Sequence, residues 1–77
     1  MRMNGQELRV CRALKDAKGV EVANLIMRTP TAISQVENGT RHTLDELQTR
    51  IVLEGLGIRE DDFLELRAAI QKINKNN

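Results

Sequence analysis

V-A-N-L-I-M-R-T-P-T-A-I-S-Q-V-E-N-G, residues Val22 to Gly39, describes two short helices with a tight break between them. Thr29 suits an N-cap, because its hydroxyl can accept from the first free backbone N–H groups of a following helix. Pro30 then takes the first helical position, where its missing N–H costs nothing. Ile33 and Val36 fall three apart on one side, whereas Thr31, Ser34, Gln35 and Asn38 point elsewhere. Gly39 ends the helix where a left-handed residue is favoured. The result is a short helix over Pro30 to Asn38 with a polar outer face, preceded by one over roughly Gly19 to Met27.

Two helices joined in this way read as a helix-turn-helix, whose second helix is the one laid in a DNA groove. The flanking sequence continues in the helical period. Helix 1 is expected from Gly5 to Ala17, with Asn4 as its cap and Glu7 closing a capping box. Leu8, Cys11 and Leu14 should form its inner edge, widened by Val10 and Ala17. Helix 4 is expected to open on the pair Thr43 and Glu46, another capping box, and to run through Leu47, Ile51 and Leu56 to Gly57. Helix 5 should start near Glu60 to Asp62, acids that suit a helix N-terminus, and run to Ile73. Residues 74–77 are polar and expected to fray. The chain of 77 residues is thus read as one all-α, five-helix domain. Val22, Leu25, Ile33, Val36 and Leu47 should supply the core of the helix-turn-helix.

Composition narrows the function. Phe63 is the only aromatic residue, so stacking platforms for single-stranded nucleic acid are missing. The net charge of +1 hides an asymmetry: residues 1–43 carry seven Lys/Arg against four Asp/Glu, residues 44–77 five against seven. The half with the helix-turn-helix is the basic one, as a duplex-binding surface requires. Cys11 has no partner for a disulfide; an isolated thiol fits a reducing cytosol, and a small buried core residue fits better than a nucleophile. No apolar run reaches the ~20 residues that span a bilayer, and no signal-peptide core is visible, so a soluble, cytoplasmic protein is expected. His42 has no Cys or carboxylate at a metal-ligand spacing, and no phosphate-binding glycine loop occurs. Asp61 and Asp62 are better explained by the start of helix 5 than by acid–base catalysis. Neither an enzyme, a metal, a cofactor nor a small-molecule ligand is expected.

The string I-S-Q-V-E-N-G at Ile33–Gly39, preceded by V-A-N-L-I at Val22–Ile26 and followed by L-E-G-L-G-I-R-E-D-D-F at Leu53–Phe63, resembles the Cro and lambda-repressor type of helix-turn-helix regulators, the xenobiotic-response-element family. L-R-V-C-R at Leu8–Arg12 is similar to that family's first-helix L-R-x-L-R, so the likeness covers nearly the whole chain. It implies a compact lambda-repressor-like domain with the helix-turn-helix at helices 2 and 3. It also implies a regulator of the small phage, plasmid or mobile-element type, and a partly buried ion pair between Arg12 and Glu37. Under the family's docking, Thr29, Thr31 and Gln35 would face the major groove, where Gln can bond adenine twice and Thr can touch a thymine methyl. Lys18, Arg28, Ser34, Asn38, Thr40, Arg41 and His42 would lie along the sugar–phosphate backbone. Arg12 is then committed to Glu37, and Arg9, one turn earlier, is the freer cation.

Phe63, Leu66, Ile70 and Ile73 follow a 3-4-3 spacing, the seam of a short coiled coil. This stripe either covers the domain core alone or meets a second subunit at its far end. A homodimer is the expectation, because Ile70 and Ile73 lie a turn or more beyond the helix-turn-helix and pairing doubles the DNA contacts. The partner would be double-stranded DNA, bound at a pseudo-palindromic operator by a repressor. Four positions depart from the family pattern: Gly19 and Pro30 replace polar contact residues, and Met27-Arg28 replaces Gly-Val, with Met27 free to swing into the core. These departures suit a different operator. They also suit the runner-up reading, a protein-interaction module such as an antitoxin or anti-repressor with the same fold and weak or no DNA binding.

Overall fold

Asn4 opens the first helix as a complete capping box: its side chain accepts from the Glu7 N–H at 2.8 Å, and the Glu7 carboxylate accepts from the Asn4 N–H at 2.9 Å. The computed structural model describes residues 1–39 and 43–75. Among these, five helices occur: α1 (Gly5–Leu14), α2 (Gly19–Leu25), α3 (Pro30–Glu37), α4 (Glu46–Leu56) and α5 (Glu60–Lys75). No strand occurs among the described residues, only one antiparallel bridge between Met3 and Leu44. The helices close around a single cluster in which Leu8, Val22, Ile33, Val52 and Phe63 are fully or almost fully buried. Burying a side chain of this size stabilises by roughly 1.5–3 kcal/mol.

Several local expectations shift. Helix 1 stops at Leu14, because Asp16 turns left-handed (φ 51°) and Ala17 bonds back to the Arg12 carbonyl at 2.9 Å. Leu14 is therefore not part of the inner edge and is 65% exposed. Helix 2 ends at Leu25, and Ile26, not Met27, turns inward. Met27 adopts φ 56° at the reversal and is 93% exposed, so it fills no core gap.

Helix 4 is capped by Asp45 and Gln48 rather than Thr43 and Glu46. The reason is the Met3–Leu44 bridge, with Leu44 N–H donating to the Met3 carbonyl at 2.9 Å. It keeps residue 44 extended, so the helix starts only beyond it. From that start Thr49, Val52 and Leu53 face inward, and Leu47, on the opposite side at 100° per residue, is exposed and leaves the core. Leu25 is also partly exposed, its methyls lying over Gly55. Gly57 closes α4 at φ 72°, with the Ile58 N–H on the Leu53 carbonyl at 2.9 Å.

Helix 5 continues to Lys75, past the expected end, because Asn74 and Gln6 exchange side-chain bonds at 2.9 and 3.3 Å. Phe63 is fully buried and Ile70 is 7% exposed, both within this one chain. They are therefore not free for an intersubunit seam; α1 already covers that side of α5. Leu66 is half-buried, and of the four seam residues only Ile73 stands well out, at 61%.

Candidate functional site

On α3, eight residues long, Ile33 is buried and Val36 half-buried. At 100° per residue, Thr31, Ser34, Gln35 and Asn38 share one arc opposite Ile33, and all four are exposed. No large apolar group interrupts them. Thr29 caps the helix, its hydroxyl oxygen accepting from the Ala32 N–H at 3.1 Å, which leaves the hydroxyl proton and one lone pair to offer to a ligand. Pro30 holds the first turn without needing a donor.

Two exposed cations flank α2. Arg28 stands exposed at the α2–α3 connection, its N–H tied to the Ala23 carbonyl at 2.8 Å. Arg28 and Gln35 both line a cleft of about 200 Å³ whose apolar walls are Ile26, Ile33, Val36 and Leu44. Lys18 is the N-cap residue of α2 and exposed, but its side chain makes no cap bond. Thr40, Arg41 and His42, three of the expected backbone contacts, lie outside the described residues.

The expected Arg12–Glu37 pair is present. Nε of Arg12 donates to Oε2 of Glu37 at 2.6 Å, and Nη2 to Oε1 at 2.8 Å, a two-point fork. Nη1 donates to the Ala17 carbonyl at 3.0 Å, so one guanidinium fastens α1, the connection leading into α2 and the end of α3. The Glu37 hydrogen bond raises the Arg12 pKa against the opposing effect of burial. Arg12 is thereby spent on the fold.

A second fork escaped the sequence reading. Arg67 of α5 donates from Nε to Oε2 of Glu7 at 2.6 Å and from Nη2 to Oε1 at 3.2 Å. It also reaches the Arg2 carbonyl, and its guanidinium lies 4.9 Å from the centre of the Phe63 ring. The capping-box role of Glu7 gives no hint of this partner in the sequence. Arg9, expected as the freer cation, has a partner the sequence reading did not name: its Nη2 donates to Oδ1 of Asn38 at 3.1 Å. The signal was available, since Gly5, Arg9 and Arg12 form an i, i+4, i+7 stripe on α1.

Cys11 is fully buried, and burial followed by the nearby Glu7 charge pushes its thiol pKa up to about 11. Among the described residues no group of three or more His, Cys, Asp or Glu is placed to hold a metal, and no helix is long and apolar enough to cross a membrane. No protein-family model, curated protein or solved structure matches the chain.

Proposed function

We propose that the chain is a sequence-specific double-stranded DNA-binding regulator of transcription, with α2 and α3 acting as a helix-turn-helix in a lambda-repressor-like domain. The observation that carries this reading is the uninterrupted polar arc of Thr31, Ser34, Gln35 and Asn38 on a short exposed helix. Such a helix fits the major groove and offers base-edge donors and acceptors along its length. The likeness of I-S-Q-V-E-N-G to the Cro and lambda-repressor type, and the positive balance of residues 1–43, add support. Thr31 and Gln35 read bases in this scheme. Thr29 contributes its hydroxyl proton and remaining lone pair, and Lys18, Arg28, Ser34 and Asn38 position the backbone.

The regulator acts as a homodimer at a pseudo-palindromic operator and represses by occupying promoter DNA. With Phe63 and Ile70 buried in the chain, the part of α5 left for a second copy is the stripe Leu66, Ala69 and Ile73. A second reading, an antitoxin or anti-repressor that binds protein, is favoured by one observation. Met27, 93% exposed at the turn before α3, presents an apolar group to solvent where the family has glycine, while Gly19 and Pro30 stand in place of its polar contacts.

Fluorescence titration of the promoter duplex beside the protein's own gene, across several salt concentrations and with competitor DNA, tests the proposal. A regulator gives a steep fall of log K with log salt and keeps its operator against competitor. A flat response with no retained complex assigns the domain to a protein partner instead.

A further inference from the structure

We propose that Arg9 and Asn38 together hold one phosphate diester of the duplex backbone, which extends the interface from α3 onto α1. This rests on the DNA-binding reading above. The argument begins with the way α1 crosses the end of α3. Gly5 packs so closely there that a Cβ on it would stand 1.9 Å from the Val36 carbonyl oxygen. One helical face further along, Arg9 and Arg12 reach Asn38 and Glu37 in turn. The three α1 residues are therefore locked in register against the last turn of α3.

The two arginines have opposite fates. Arg12 is neutralised by Glu37 and half-buried. Arg9 is exposed, and among the described residues no carboxylate lies within ion-pairing distance of it. Its bond to Asn38 fixes its position without cancelling its charge. An arginine has no acceptor, so the group of Asn38 that turns to it must be the amide oxygen. The Asn38 NH₂ is then left pointing away with two donors, beside the remaining guanidinium N–H groups of Arg9. Every free polar hydrogen of the pair is a donor, and the net charge is positive. A phosphate oxygen, acceptor-only and anionic, is the complement of that arrangement. Asn38 also ends the arc that begins at Thr31, so a phosphate held there sits at the end of the groove-facing helix.

The test is the salt dependence of binding to a short random-sequence duplex, followed by fluorescence, with circular dichroism as a check on folding. Arg9→Gln should reduce the slope of log K against log salt by about one unit, the contribution of a single phosphate contact. Asn38→Asp should do the same with Arg9 intact, because the new carboxylate neutralises the guanidinium in place. Arg59→Gln, the same charge change on the exposed α4–α5 turn, should leave the slope unaltered. A wild-type slope in Arg9→Gln overturns the contact while the DNA reading stands. An equal drop in Arg59→Gln overturns it as well, since the effect is then one of net charge. A wild-type protein that binds no duplex at low salt removes both the contact and the reading it rests on.

Discussion

Glu7 of α1 and Arg67 of α5, sixty positions apart in the chain, meet in a two-point ion pair with Nε–Oε2 at 2.6 Å. The Glu7 side chain is 4% exposed and that of Arg67 25%. With Arg12–Glu37 on the other side, α1 is tied by one charged fork to α5 and by another to α3. Breaking such a pair by removing one partner strands a charge and costs about 3–5 kcal/mol, a large part of the 5–15 kcal/mol (roughly) that holds an ordinary domain. Glu7→Ala should therefore lower the urea midpoint sharply, monitored by circular dichroism. Glu7→Leu with Arg67→Met should recover all but the loss of the Asn4 cap, about 1 kcal/mol. A loss below about 1 kcal/mol in Glu7→Ala would show the pair to be worth no more than a surface bridge.

Two glycines separate packing from propensity. Gly5→Ala places a methyl against backbone, not against a yielding side chain, so α1 must move off α3. A loss of about 1–3 kcal/mol is expected from such overpacking. Gly19, the first residue of α2, has nothing within 4 Å of an added Cβ. Gly19→Ala should stabilise by up to about 1 kcal/mol. Thermal melts of the two variants should move in opposite directions; a shared direction refutes the close approach at Gly5.

Cys11 links stability to alkaline pH. Its thiol pKa rises from 9.0 to about 11 in the fold, chiefly through burial. Between those values the unfolded chain has released the proton and the native one has kept it, so stability falls as pH rises through that window. The loss is at most on the order of 2–3 kcal/mol. Urea midpoints of the wild type and Cys11→Ala should converge above pH 9, and parallel curves would exclude the thiol.

Direct readout is tested at Gln35. Gln35→Ala should weaken operator binding by about 1–3 kcal/mol and relax preference at one base pair per half-site, with Thr31→Ala milder. Operator selection from a randomised library reads this out. An unchanged preference at every position takes Gln35 out of the interface.

The dimer is tested at Ile73 rather than at its neighbour. Ile70→Glu should unfold the chain, since that side chain is already enclosed by its own domain. Ile73→Glu should keep its helicity and sediment as a monomer with weakened operator binding. A dimer that survives this change places the two-fold contact elsewhere.

The sequence by itself determined the elements with local causes. The Asn4–Glu7 box, the Thr29–Pro30 start, Gly57 at positive φ and the polar arc of α3 each depend on residues within a turn of one another. Helical period and backbone stereochemistry act over that range, and the five helices were legible for that reason. The Arg12–Glu37 pair was visible only through resemblance, since no local rule joins those positions. Tertiary structure alone decided the rest. The Met3–Leu44 bridge moved the start of α4 by two residues and turned Leu47 outward, through a contact no periodicity encodes. The packing of α1 on α5 consumed Phe63 and Ile70, which a heptad spacing alone could equally have given to a second subunit. It also set Arg67 on Glu7, and α1 against α3 set Arg9 on Asn38. Which of two apolar or charged faces is covered depends on what the chain brings to it from far away, and that information resides in the packed whole.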